Sequence, residues 1–343
     1  MVIFQSIGRG RGMRFYSVLC AIVAATVSCA SVAAPKSEEL KLENFKANVE
    51  KLAGPDFKGR GTGQPGNTAA VAWVEGELDK VGLPHERYAL NTPRGRTENL
   101  IAWIKHPFAT ESVVIGAHID HLGTSGTRTY WGADDNASGS AMLLEIAKLA
   151  SQFALSTQRN VYFQWYSGEE LGLYGSEAWV RNPTIPISEV KYMINMDMVG
   201  YLRNNRVEAL GCMMAPTICE TLKERVRASV PSLTLSATKA AGGGSDHVPF
   251  ARKGIPVTFF YTGTHQCYHQ TCDTPEKINY DGMVKVATAS WELLYMLMSG
   301  VPITSNVSEV ANDPSLDCDK GESSCVKKPC GKSFEHPHAG HKH

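Results

Sequence analysis

Five short apolar runs, at residues 99–104, 112–117, 161–165, 192–196 and 256–261, constrain this chain more than any other feature. Each has the length of a strand buried on both faces and is too short for a buried helix. Segments with helical apolar spacing alternate with them. The first is 38–53, where Leu42, Phe45, Val49 and Leu52 share a face; 67–81, 140–153 and 283–298 follow. Strands alternating with helices predict an α/β chain in three layers, α/β/α, around a central, mostly parallel mixed sheet. A Gly/Pro-rich connection spans 54–66.

Open α/β sheets bind ligands beyond the C-terminal ends of their strands. Chemistry-bearing residues stand at those positions here. His118 and Asp120 follow SVVIGA, Glu169 and Glu170 follow VYFQWYS, and Asp197 follows YMINM. Asp135 in GADDNASG and His269 in CYHQTCDT complete the series. Two histidines, three ligating carboxylates and a spare carboxylate beside one of them are the parts of a two-zinc hydrolase.

Charge supports the same chemistry. Two Zn²⁺ bring four positive charges, and Asp135, Glu170 and Asp197 bring three negative ones, while His118 and His269 ligate as neutral rings. A bridging hydroxide would neutralise the cluster. Asp135 is the candidate bridge, with one oxygen for each of two ions about 3.5–4 Å apart. His118 and Asp197 would complete one ion, Glu170 and His269 the other. Adjacent side chains diverge, which frees Glu169 to act as general base on the bridging water and then as acid toward the departing amine. Asp120 would accept the ring N–H of His118 and hold it for zinc. Tyr268 would donate its hydroxyl to the developing oxyanion. His121 and Asp134 are surplus to the set and read as supporting or structural. Asp246-His247 reads equally as a shaper of the substrate pocket or as a buried structural pair. Gly59-Arg60-Gly61-Thr62-Gly63 follows a helix and lacks the Walker lysine, so it is not a nucleotide loop.

The remaining sequence bears on location. Arg9, Arg11 and Arg14 precede an apolar run from Val18 to Val27, and Ser31-Val32-Ala33-Ala34 offers small residues for cleavage. Residues 1–34 therefore read as a signal peptide, which implies a periplasmic or secreted protein with no membrane attachment after cleavage. The run is too short to span a bilayer comfortably. Residues 35–300 form the expected catalytic domain. Residues 301–343 turn polar, lose periodicity, and read as a flexible Cys/His-containing tail. Export permits disulfides. Cys212 with Cys219 and Cys267 with Cys272 are near enough in sequence to pair, while Cys318, Cys325 and Cys330 leave an odd thiol. The chain carries 34 basic and 34 acidic residues and no long basic run interleaved with aromatics, which argues against nucleic acid and anionic membrane as partners.

These motifs resemble the co-catalytic two-zinc aminopeptidases secreted by bacteria, in a superfamily with glutamate carboxypeptidase, transferrin receptor and the zinc glutaminyl cyclases. The likeness runs from about Phe57 to Met298 through GRGTGQPGN, GAHIDH, GADDNASG, GEELGLYGS, NMDMVGY and YHQTCDT. It implies a zinc-peptidase fold, ligands at His118, Asp135, Glu170, Asp197 and His269, Glu169 as base, and a cis peptide after Asp135. The implied activity is release of N-terminal residues from peptides with two Zn²⁺ per chain. Two rival activities share the ligand set. A single-zinc glutaminyl cyclase would join the substrate's own amine to its side-chain amide, and a metallocarboxypeptidase would need a basic residue for the terminal carboxylate.

Overall fold

The computed structural model describes residues 37–316. The expected leader and the Cys/His part of the expected tail lie outside them. A helix α1 (Leu42–Leu52) and a helix α2 (Pro65–Lys80) open the fold and lead into β1 (His85–Thr92), β2 (Gly95–Ile104) and β3 (Ser112–His118). A small hairpin, β4 (Gly123–Ser125) and β5 (Arg128–Tyr130), precedes α3 (Gly139–Ser151) and β6 (Asn160–Tyr166). Then come α4 (Tyr174–Arg181), β7 (Val190–Met196), β8 (Arg206–Leu210), α5 (Pro216–Ser229) and β9 (Thr234–Ala237). The chain closes with α6 (Val248–Ala251), β10 (Val257–Tyr261), α7 (Tyr280–Met298) and α8 (Val307–Ala311).

Eight strands form one mixed sheet in the order β1-β2-β6-β3-β7-β10-β8-β9. The four central strands, β6, β3, β7 and β10, run parallel, while β2 and β8 join them antiparallel on either side. The five apolar runs are β2, β3, β6, β7 and β10, and every residue of β3, β6 and β10 is buried. That burial explains their continuous apolar character. Alternate side chains serve two cores. Val113, Ile115, Phe163 and Trp165 pack toward Phe45, Val74, Leu144, Leu222 and Trp291 of α1, α2, α3, α5 and α7. Val114 and Tyr166 pack on the opposite face toward Trp179 of α4 and Phe250 of α6, whose rings stack at 5.6 Å. Helices thus cover both faces, giving the expected α/β/α layering.

The outer strands were not legible as apolar runs. β1 is half exposed, and β8 and β9 are short strands toward the far edge. Both expected disulfides form, Cys212–Cys219 and Cys267–Cys272. Residues 301–316 differ from a flexible tail. Val310 and Leu316 are buried in the α4/α6 core, and the Arg252 guanidinium donates to the Leu316 carbonyl at 3.0 Å. Apolar side chains spaced along an otherwise polar stretch dock it, together with polar contacts such as the Ala241 N–H on the Asp313 carboxylate at 2.8 Å. Among the described residues, no helix is long and apolar enough to cross a membrane.

Phe163 is fully buried on β6, between β2 and β3. Phe163→Ala is expected to lower the unfolding free energy by about 3–5 kcal/mol, read as a shifted midpoint in urea.

Candidate metal centre

The parallel strands deliver their C-terminal ends to one cleft. His118 is the last residue of β3, and Asp197 directly follows β7. Glu169 and Glu170 lie on a single tight turn after β6, entered through Gly168 in the left-handed conformation at φ 84°. His269 sits in the loop after β10, within the ring closed by Cys267–Cys272, and itself has φ 56°. Asp135 precedes α3, and its peptide bond to Asn136 is cis, as the resemblance implied.

Asp135 stands between the two histidines. Its Oδ1 is 3.4 Å from His118 Nε2, and its Oδ2 is 3.0 Å from His269 Nε2. His118 Nε2 also lies 3.2 Å from Asp197 Oδ1, and His269 Nε2 lies 3.1 Å from Glu170 Oε2. Ligands bonded tetrahedrally at about 2.0–2.1 Å stand about 3.3 Å apart, so these spacings fit donors that share cations. Glu169 sits further back, with Oε2 at 4.0 Å from His118 Nε2. The two glutamates do diverge, Glu169 toward His118 and Asp197, Glu170 toward Asp135 and the other histidines.

The electrostatics ask for positive charge. His118 Nε2 and Asp197 Oδ1 are buried without a hydrogen-bond partner of good geometry. Burial depresses the His269 imidazole, yet Glu170 and Asp135 outweigh it and push the ring up to about 11. His118 shows the same balance, with burial opposed by Asp197 and Glu169 and a net rise well above the ordinary value. Burial raises Glu169 well above the usual carboxylate range; His118 opposes the rise, and Glu170, Asp197 and Asp246 add to it. Imidazoles that take up protons so strongly in a carboxylate cluster have donor atoms that suit metal ions. The residues at this cleft fit metal binding.

Supporting contacts fix the donors. His118 Nδ1 meets residue 120, but through the main-chain carbonyl at 3.1 Å, with the Asp120 carboxylate at 3.8 Å. That carboxylate is engaged elsewhere: it accepts the Thr62 hydroxyl at 2.5 Å and the Glu169 N–H at 3.2 Å. Ser245 donates to Asp197 Oδ2 at 2.8 Å. The Tyr268 ring stacks on His269 with centroids 3.9 Å apart. Burial, then Asp135, Glu170, Glu169 and Asp197, raise its hydroxyl far above the ordinary phenol value, so it stays protonated as a donor.

Other residues matter that sequence reasoning left without a role. Asp273 accepts main-chain N–H groups from both Asp134 and Asp135 at 3.0–3.1 Å. Its signal was its place inside YHQTCDT. Arg60, fully buried in the rejected GRGTG loop, donates to the carbonyls of Leu52, Ile119, Trp131 and Gly132. Burial lowers its guanidinium to about 10, opposed by Asp273, Asp135, Asp120 and Glu170. An arginine between glycines offered no sequence cue for that role. Asp134 bonds the Gly200 N–H at 2.7 Å and lies 3.2 Å from His265. Asp246 and His247 are fully buried, and the His247 ring stacks on Phe259 with its Nε2 on the Ala241 carbonyl. Burial lowers that ring to about 4 and keeps it neutral. The pair packs inside the fold, with Asp246 near enough to Glu169 to raise its carboxyl.

Comparisons with known proteins agree with this architecture. The chain matches peptidase family M28 over residues 99–294. It is 29% identical to leupeptin-inactivating enzyme 1 of Streptomyces exfoliatus, over 84% of this chain and 69% of that protein. It is 30% identical to leucine aminopeptidase 1 of Uncinocarpus reesii, over 77% of this chain and 72% of that one. In fold it is similar to BSAP, a zinc aminopeptidase from Bacillus subtilis, with TM-score 0.67 and 15% identity over 80% of this chain and 97% of the other. The LapA aminopeptidase of Legionella pneumophila is similar as well, with TM-score 0.66 and 20% identity over 78% and 74% of the two chains. With a family match over more than half of the sequence and a relative 30% identical over more than two thirds of both chains, the chain belongs to peptidase family M28.

Proposed function

We propose that this chain is an exported aminopeptidase that uses two zinc ions to release N-terminal residues from peptides. The observation that carries the reading is the position of Asp135, one oxygen toward each of His118 and His269. His118 and Asp197 would hold one ion, Glu170 and His269 the other, with Asp135 shared. Zinc held there would supply a Lewis acid for the scissile carbonyl and would lower the pKa of bound water toward neutrality.

The chain's own residues supply the rest. Glu169, with a side chain 12% exposed, has Oε2 4.0 Å from His118 Nε2 and beside Asp197, and in this reading it is left free of the ions. It takes the proton from the attacking water and returns it to the departing amine. Asp120 serves this step by gripping the Glu169 N–H, and it seats the His118 ring through its main-chain carbonyl. Tyr268, held neutral beside His269, donates its hydroxyl to the oxygen where negative charge develops. The substrate's free amine is a cation, and the partly exposed carboxylates of Glu169 and Asp197 draw it to the cleft.

The naming of several relatives as leucine aminopeptidases supports a preference for apolar N-terminal residues. Export is supported by the leader read over 1–34 and by the two disulfides, which persist in oxidising compartments.

An assay on a panel of aminoacyl amides tests the reading: leucyl and methionyl amides are expected to turn over, chelation to stop the reaction, and zinc to restore it. Turnover that survives complete chelation, or release of ammonia alone from an N-terminal glutaminyl peptide, would sink it. Glu169→Gln is expected to reduce kcat by at least about 10²-fold while metal analysis still finds two ions per chain. Tyr268→Phe should reduce kcat by about 10²-fold with KM little changed, as checked by steady-state kinetics on the leucyl substrate.

A further inference from the structure

We propose that His121 is a positioning residue that fixes one oxygen of Glu170, so that Glu170 offers only its other oxygen to the second ion; this rests on the two-zinc reading above. The two Glu170 oxygens face different histidines. Oε1 lies 2.7 Å from His121 Nδ1, and Oε2 lies 3.1 Å from His269 Nε2. The first distance is that of a charge-assisted hydrogen bond. It is too short for two ligands of a tetrahedral ion, which stand about 3.3 Å apart. The second is close to that ligand spacing. His121 Nδ1 also lies 3.6 Å from Asp135 Oδ2, but its much shorter contact with Glu170 assigns the ring to support of that carboxylate.

The ring is held in place to do this. His121 is fully buried, and its main-chain N–H donates to the Arg60 carbonyl at 3.3 Å. Its face rests against Gly132, where a Cβ would come within 2.5 Å of His121 Cγ and Cδ2. Gly132 is left-handed, at φ 60°, and its carbonyl accepts from Arg60 Nη2 at 2.7 Å. Glycine is thus required twice at this position, by backbone conformation and by the ring beside it. Arg60 anchors both the segment that carries His121 and the segment that confines it.

With a proton on Nδ1, the His121 ring donates to Glu170 Oε1 and stops that oxygen from turning in to chelate. A carboxylate limited to one oxygen leaves a coordination position open, which a catalytic ion needs for water or substrate. A donor placed behind a ligand also raises metal affinity, and its loss typically costs about 10–100-fold.

The test is calorimetric titration of the metal-free full-length chain with Zn²⁺ against a competing chelator. Wild type is compared with His121→Ala, His121→Asn and His121→Gln, each checked for folding by thermal unfolding in chelator. The Asn amide nitrogen occupies about the place of Nδ1, and the Gln amide about that of Nε2. In His121→Ala and His121→Gln the first ion is expected to bind as in wild type and the second about 10–100-fold more weakly. His121→Asn should recover most of the second affinity. Equal weakening of both ions, an unchanged second affinity in His121→Ala, or an Asn variant no better than Gln overturns the inference. If the Ala variant does not fold, the Asn and Gln pair decides the matter alone. A wild-type chain that takes up a single ion sinks the two-zinc reading itself, whereas two ions with an unaltered second affinity in the variants sink only the role of His121.

Discussion

Carboxylates gathered in a buried cleft repel one another, and that repulsion governs the architecture around it. Asp120, Asp135, Glu169, Glu170 and Asp197 meet there, with Asp134, Asp246 and Asp273 close behind. Buried charges without partners cost several kcal/mol each. The fold meets the cost in two ways. Hydroxyl groups of Thr62 and Ser245 and main-chain N–H groups hold the carboxylates in place, and the innermost oxygens are left facing imidazole nitrogens across gaps that suit a cation. The strongly raised His118 and His269 rings are the same imbalance seen from the other side.

The holding network is mainly backbone. Asp273 grips the N–H groups of Asp134 and Asp135, and Asn136 ties that loop to the end of β7 through the Met196 carbonyl at 3.0 Å. Gly139 must be glycine for this packing, since a Cβ there would lie 2.3 Å from the Met196 carbonyl oxygen. Arg60 adds a cation without offering a hydrogen bond to any carboxylate: its guanidinium donates to main-chain carbonyls, and its charge acts on the cluster through space. A side chain that ties three segments together and offsets their negative charge serves packing and electrostatics together.

How much of this was legible in the sequence follows from which forces leave a local pattern. Strands buried on both faces are near-continuously apolar, so the central strands announced themselves, and residues just past their ends were marked by position as well as type. His118, Asp197 and the Glu169-Glu170 pair were singled out that way. Edge strands such as β1 are half exposed and carry no continuous run. Arg60, His121 and Asp273 act through contacts between segments far apart in the chain, and such contacts leave no periodicity. Asp120 shows the limit at finer grain. Its sequence position predicted contact with the His118 ring, but whether a main-chain or a side-chain oxygen makes that contact depends on Thr62 and Glu169 competing for the carboxylate. The docked segment at 301–316 shows the converse, where two apolar residues in a polar stretch outweigh its composition.

The two halves of the proposed centre differ in kind. His118 and Asp197 extend from neighbouring parallel strands, and a hydrogen-bonded sheet fixes their separation. Glu170 and His269 come from a single turn and a surface loop, and the His269 side chain is 19% exposed where His118 is 1% exposed. Nothing in the sheet fixes that second pair. What does so is a disulfide ring around His269, a histidine behind Glu170, and an aspartate, Asp273, that joins the His269 loop to the Asp135 loop. These are side-chain devices added where the secondary structure stops. The rigid half has its geometry from the sheet before any ion arrives, while the other must be assembled from loops. The asymmetry of the proposed two-ion site therefore originates in backbone topology, and chemically similar ligands on its two sides are held by different means.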